Sequence, residues 1–316
     1  MSGNTKERYI ILTELQQQLP LFFQPWWLSA VCGNWDIAIW EEGNAVKAVF
    51  PYQIEKKICI NLARNPLLTP YLGPFFLEEK ETMAAQLDFE EKALTELWKQ
   101  IPGFDYFQFE TVPEFKNFPL IHGQGFSNTA KLTYFIDLEQ TKEQLFSKIH
   151  ARRRNYIRKT EKELTVEIEK EPNIDLLYGW HKHAFSQKKQ HYPYSVSFLK
   201  KIITIAETHN SSLFLTAKDK SGNPVAMLWT PFDNGKFYHL LGAYDYSKKN
   251  NGAMDLLVWT ALKKAKELGK KTYDFEGSMD PGIESFFRKF GGERKQYFSF
   301  KKNKSMIWKW KLAIFG

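Results

Sequence analysis

Short stretches of this chain alternate between apolar and polar positions, and longer stretches repeat their apolar positions every three to four residues. Residues 36–40 alternate and meet a turn at 41–44, followed by a second strand at 45–52 and a third at 57–62. In the second half, residues 213–216 meet a turn at 219–223; then come 224–232, the turn 233–235, and 236–241. Alternation broken by glycine-bearing turns predicts an antiparallel meander in each half. The helical period predicts a helix over 89–100, with Leu94, Leu97 and Trp98 on one face. A second covers 254–268, with Leu257, Val258, Ala261, Leu262 and Ala265 inward. Each helix leads into a strand, 105–110 and 271–276, and both strands close on Phe-Glu, at Phe109-Glu110 and Phe275-Glu276.

The same order of elements twice, at an offset of roughly 170–180 residues, predicts two copies of one α+β unit. Chance similarity between short strands is the competing explanation. Between the copies, residues 141–164 read as one basic helix opening at Thr141, with Leu145, Ile149, Tyr156 and Ile157 as its apolar stripe. Its arginines then project away from the core. The expected division is residues 1–139 and 140–316, just after a strand at 132–137.

Composition adds limits rather than a function. A chain of 316 residues with 25% charged residues and mean hydropathy −0.45 is that of a folded soluble protein. Its 16% aromatic content suggests apolar or planar grooves as well as cores. Cys32 and Cys59 each sit alone in apolar segments, without metal-like spacing, which predicts a reduced, cytoplasmic chain. Residues 1–8 do not resemble a secretory signal, and no stretch approaches the roughly 20 apolar residues of a membrane span. A net charge of +8 favours acidic partners (phosphates, nucleic acid or anionic lipid) without selecting one.

Candidate chemistry gathers near the end of the chain. Asp274 and Glu276 share one strand parity, so both side chains face one side of the sheet. Such a pair supplies a general base and an electrostatic partner for attack by an amine or hydroxyl. A structural ion pair with Arg288 or Lys271 is the plainer alternative. Ser278, Asp280, Glu284 and Arg288 crowd the adjoining turn and short helix.

The loop 242–254 brings Lys249 and Gly252 to a helix start, where free N–H groups favour an anion; an ordinary polar loop is the competing reading. The basic helix, chiefly Arg154 and Arg158, offers a phosphate-binding face, against the alternative of a solvated surface. His181, His183 and His191 have no zinc spacing, so no metal is expected. Residues 306–315 alternate large apolars with lysines, as an edge strand or an aromatic-basic patch at a membrane surface. Loops 24–28 and 66–75, the latter with Tyr71, are rigid and aromatic. Tyr71, His239 and Tyr244 complete the candidate substrate-binding residues. Walker, dinucleotide and GxSxG motifs are absent.

Residues 273–278, followed by 283–292, resemble the closing motif of FemAB-like proteins in the GNAT acyltransferase superfamily. Arg154-Asn155-Tyr156-Ile157-Arg158-Lys159 and Gly222-Asn223-Pro224-Val225-Ala226 are similar to that family's patterns at the same relative places. The resemblance covers roughly residues 140–300 and extends to the N-terminal unit only in layout.

It implies two tandem GNAT-like domains, each a mixed, mainly antiparallel sheet flanked by helices. It also implies transfer of an acyl or aminoacyl group to an amine, in cell-envelope precursor or lipid biosynthesis. The donor would be aminoacyl-tRNA, or an acyl-CoA or acyl-carrier thioester bound at Lys249 and Gly252, with no tightly held cofactor. Asp274, Glu276 and Arg288 would be catalytic; Ser278 and Glu284 would join the substrate-binding residues. tRNA and the inner face of the membrane are the implied partners. The alternative is a non-catalytic GNAT-like module binding nucleic acid or an anionic membrane surface.

Overall fold

The computed structural model describes residues 5–43, 45–57, 60–248, 252–277 and 279–305, apart from the side chains of residues 13 and 14. In chain order the elements are α1 (Thr5–Ile11), α2 (Thr13–Gln18), α3 (Pro25–Val31), β1 (Trp35–Glu42), β2 (Ala45–Lys57), β3 (Ile60–Ala63) and β4 (Phe75–Phe76). Next come α4 (Met83–Gln100), β5 (Tyr106–Glu110), α5 (Phe118–Gly123), β6 (Ser127–Asp137), α6 (Lys142–Lys148), α7 (Ala151–Thr160), β7 (Thr165–Ile168), α8 (Ile174–Gln187) and α9 (Val196–Thr208). The last are β8 (Ser212–Lys218), β9 (Pro224–Pro231), β10 (Lys236–Tyr238), β11 (Leu241–Tyr244), α10 (Ala253–Glu267), β12 (Thr272–Asp274), α11 (Pro281–Phe287) and β13 (Glu293–Asn303). Among the described residues, no helix is long and apolar enough to cross a membrane.

The chain forms two compact units: residues 1–131 with 296–316, and residues 132–295. This differs from the expected single cut at 139/140, because the chain changes unit inside β6 and again inside β13. From Ser299 onward β13 pairs antiparallel with β5, so the end of the chain returns to the first unit.

That first unit carries strands in the order β1-β2-β3-β5-β13, all antiparallel neighbours except the parallel pair β3 and β5. Helix α4 starts where the Thr82 hydroxyl accepts the Ala85 N–H, and it buries Phe89, Ala93, Leu94 and Leu97. Beneath it Phe50, Trp98, Phe107, Phe109 and Phe126 pack edge-on or stacked, with centroids 5.1–6.4 Å apart. These five rings put part of the aromatic content into this core.

The second unit holds two groups of strands. In one, β12 lies between β6 (antiparallel) and β10 (parallel); the other is an antiparallel sheet in the order β11-β9-β8-β7. Helix α10 buries Leu257, Val258, Ala261, Leu262 and Ala265, the face its sequence predicted, in a core with Leu215, Leu228, Phe237 and Tyr273.

Residues 236–241 do not form the single strand expected. The His239 N–H donates to the Asp274 carbonyl at 2.8 Å, whereas the next N–H, of Leu240, donates to the Trp229 carbonyl at 3.3 Å. The chain therefore leaves one group of strands and joins the other between these two residues. The expected basic helix over 141–164 also splits. Ile149 and His150 are extended, with ψ of 135° and 137°, and the His150 ring accepts the Arg152 N–H. Thr141 and Gln144 complete a reciprocal capping box at the start of α6.

Candidate functional site

Strand β12 ends in a turn built by its own side chains. Asp274 Oδ1 accepts the Glu276 N–H at 2.7 Å and the Thr133 hydroxyl at 2.6 Å. This short loop-back puts Glu276 in the left-handed region, at φ 56°, and Gly277 comes next at φ 70°. A residue with a Cβ rarely stays there, at a cost of about 1 kcal/mol or more. Gly277 is required on a second ground: a Cβ there would lie 1.9 Å from the Leu132 carbonyl oxygen.

The turn buries both carboxylates. Asp274 is inaccessible and Glu276 is 8% exposed. Glu276 Oε1 has no hydrogen-bond partner among the described residues. Burial, and then the charge of Asp274, push the Glu276 carboxyl well above the usual carboxylate range. Nearby, Tyr273 is raised by burial and by both carboxylates, and its hydroxyl meets His239 Nδ1 at 2.9 Å. Burial pushes His239 down to about 3, so its ring is neutral; it packs against Phe275 and Phe287. The site thus combines a carboxyl poised to exchange a proton with a neutral imidazole–phenol pair, where the chain passes from β10 to β11.

The other predicted residues fall into place unequally. Glu284 accepts the Tyr134 hydroxyl at 2.6 Å and faces Arg288 at 3.8 Å, and the Arg288 side chain is 56% exposed. Arg288 thus partners Glu284, and Glu276 has no ion pair among the described residues. Arg154 donates to the Ser147 carbonyl, and Arg158 lies over the Phe146 ring at 5.2 Å. Arg153 does not project away: it binds both Asp255 oxygens at 3.1–3.2 Å.

Gly252, at φ 114°, precedes α10 where a Cβ would stand 2.8 Å from Tyr156 Cβ and 3.0 Å from Thr160 Cγ2. The close approach of α7 therefore accounts for this glycine. Tyr244 is exposed and stacks on Tyr246 at 4.2 Å. Tyr71 is buried in the first unit, 5.1 Å from the Tyr297 ring. Cys32 is buried. Lys249, Ser278, Cys59 and the tail 306–315 lie outside the described residues.

Sequence reasoning missed Thr133, Tyr273 and Tyr194. Burial, and then the charge of Glu276, raise the Tyr194 hydroxyl to about 12. Only Tyr273 carried a signal, as the first letter of the strand-end motif.

Residues 147–288 match the family model described as an acetyltransferase (GNAT) domain. The matched segment covers just under half of the chain. It contains β7–β12, the sheet change at His239–Leu240 and the Glu276 turn. Among solved structures, FemX is similar over 99% of this chain and 98% of its own, at 13% identity and a TM-score of 0.69. L-PGS from Bacillus licheniformis is similar over 99% and 98%, at 17% identity and 0.56. A tandem GNAT protein from the clavulanic acid biosynthesis pathway is similar over 95% of each chain, at 8% identity and 0.53. At these identities the likeness is one of fold, and the α+β, tandem GNAT-like class expected from the sequence holds. No curated protein matches the sequence.

Proposed function

We propose that the protein is an N-acyltransferase of FemAB-like type, moving an acyl or aminoacyl group to an amine in cell-envelope precursor or lipid biosynthesis. The observation that carries this reading is Glu276: a buried carboxylate with an oxygen lacking a partner among the described residues, held in a strained turn beside the sheet change of a GNAT domain. In the proposed step the acceptor nitrogen attacks the donor carbonyl carbon. The bond from that carbon to the leaving oxygen or sulfur breaks, the amine proton passes to Glu276, and the leaving atom is protonated in turn. A base so placed contributes about 10²–10⁴ in rate. Asp274 holds the turn, and Arg288, tied to Glu284, offers a charge to an acidic group of the substrate.

For the donor, an aminoacyl ester on tRNA is the better-supported choice. A diphosphate-bearing thioester would need the start of α10. There α7 packs closely on Gly252. The exposed parts of α7, with Arg154 and Arg158 at its edge, would face the tRNA phosphates. Transfer to a lysine-containing peptide from aminoacyl-tRNA and from acetyl-CoA, read by mass spectrometry, tests the proposal. Product with the first donor and not the second is expected. No product with either donor, over a panel of primary amines, would overturn it. Salt-sensitive RNA or vesicle binding without transfer would favour the non-catalytic alternative.

A further inference from the structure

Two exposed tyrosines that the proposed transfer step does not use stand against one another on the second unit. Tyr244 closes β11 and Tyr246 follows in the next turn; they are 39% and 41% exposed, with ring centroids 4.2 Å apart and planes 33° from parallel. The exposed ring of His183, on α8, lies 5.2 Å from Tyr246.

Their turn is held from several sides. The Asp245 N–H donates to the Val225 carbonyl at 3.0 Å, and its carboxylate accepts the Ser247 N–H at 2.9 Å and the Ser247 hydroxyl at 2.6 Å. Lys248 pairs with Asp219 at 3.0 Å, and Asp219 accepts the N–H groups of Ser221 and Asn223 in the β8–β9 hairpin. Rings fixed in this way keep flat apolar faces against water, the arrangement of a surface that stacks planar ligands.

What surrounds the pair narrows the ligand. Alternate residues of a strand share a face, so Gly242 and Tyr244 lie together, while Leu241 and Ala243 are buried on the other side. Gly242 puts no side chain between Tyr244 and the candidate site: a Cβ there would stand 3.4 Å from His239 Nε2 and 3.2 Å from Met254 Cε. His239 in turn donates its N–H to the Asp274 carbonyl at 2.8 Å. The five residues from His239 to Tyr244 span about 16 Å at most. Stacked nucleotides rise about 3.4 Å each, so about four or five unpaired ones cover that distance. Residues 176–193, which include His183, carry Lys182, Lys188, Lys189 and three histidines and no carboxylate. Lys188 is held by Asp280 at 2.6 Å, whereas Lys182 and Lys189 are exposed. That balance suits phosphates.

We infer that Tyr244 and Tyr246 form a stacking platform for a nucleobase of the donor, in the unpaired 3′ end of an RNA whose terminal ester reaches the Glu276 turn. This rests on the proposed aminoacyl-tRNA donor and adds the part of it that the protein grips beside the reacting ester. The adenine of coenzyme A has the same stacking chemistry, and the test separates the two sources.

Two RNA hairpins of one stem serve as probes, each with a short 3′ extension that carries bases in one and lacks them in the other. Their phosphate charge is equal, so anisotropy with the full chain at fixed salt reads stacking alone. The extension with bases is expected to bind about tenfold more tightly. Tyr244→Ala and Tyr246→Ala should each cut that gain about five- to tenfold without changing binding of the baseless hairpin, while Tyr244→Phe keeps the gain. A gain that survives Tyr244→Ala overturns the platform. So does the absence of a gain together with coenzyme A binding indifferent to Tyr244→Ala. The readings fail separately. No gain from RNA bases, with coenzyme A binding weakened about tenfold in Tyr244→Ala, keeps the platform and overturns the tRNA donor. An RNA gain lost in Tyr244→Ala without acyl transfer keeps the platform and sinks the transferase.

Discussion

Two strands of this molecule end in the same pair of letters, and their glutamates meet opposite fates. Glu110, closing β5, is paired with Lys131 at 3.0 Å and accepts the Ser299 hydroxyl at 2.9 Å and the Gln108 amide at 3.3 Å. Glu276, two residues past the end of β12, is left-handed and buried, with an oxygen that no described residue satisfies. One carboxylate has been given every partner it needs and serves the fold. The other leaves an oxygen unmet, at a cost in stability. The difference arises just past each strand, where one chain runs into Thr111-Val112-Pro113 and the other into Gly277 and the α11 turn.

The sharpest way to break this comparison is to neutralise both glutamates. Glu276→Gln should lower acyl transfer by about 10²–10⁴, while Glu110→Gln changes it less than about twofold. Equal losses would end the distinction. Next in size is the turn itself. Gly277→Ala should cost about 3 kcal/mol or more in urea unfolding, since both its φ and the Leu132 carbonyl oppose a Cβ.

Asp255 sharpens the contrast from another side, being buried but partnered by Arg153. Burial, opposed by Arg153, raises its carboxyl from the ordinary 3.8 to about 6. The folded state then binds the extra proton between these values. The stability contributed by Asp255 is present below about pH 3.8 and lost as pH rises through about 6, an effect of roughly 2–3 kcal/mol. Asp255→Asn should flatten that part of the stability–pH curve.

Glu276 obeys the same sign for stability, its neutral form being the favoured one. Transfer runs the other way: its rate should rise with pH through an inflection above the usual carboxylate range, because the base acts when ionised. The smallest effect expected is Lys131→Met, which leaves Glu110 without its cation and should cost about 1 kcal/mol in thermal unfolding, with transfer unchanged.

Periodic elements were legible in the sequence because side chains there answer to one neighbour surface. The meanders, α4, α10 and the Phe-Glu strand ends were all readable on that basis, and so was the resemblance that names the fold. Choices made between distant partners were not readable. Nothing local says that His239 donates to one strand and Leu240 to another. Nor does it say that the His150 ring interrupts a basic helix, or that Arg153 turns inward to Asp255. At the candidate site the two carboxylates were legible from spacing, but not the turn that separates them, because it depends on the Thr133 hydroxyl 141 residues away.

Strand β13 carries a consequence for how the protein is made. Ser299 closes on Glu110 across 189 residues, so the first unit obtains its last strand only after the whole second unit has left the ribosome. Until then the edge of β5 is open, and the early half of the chain waits on the late half to finish its sheet. Synthesis halted just before residue 296 would yield a complete GNAT segment attached to an unfinished partner.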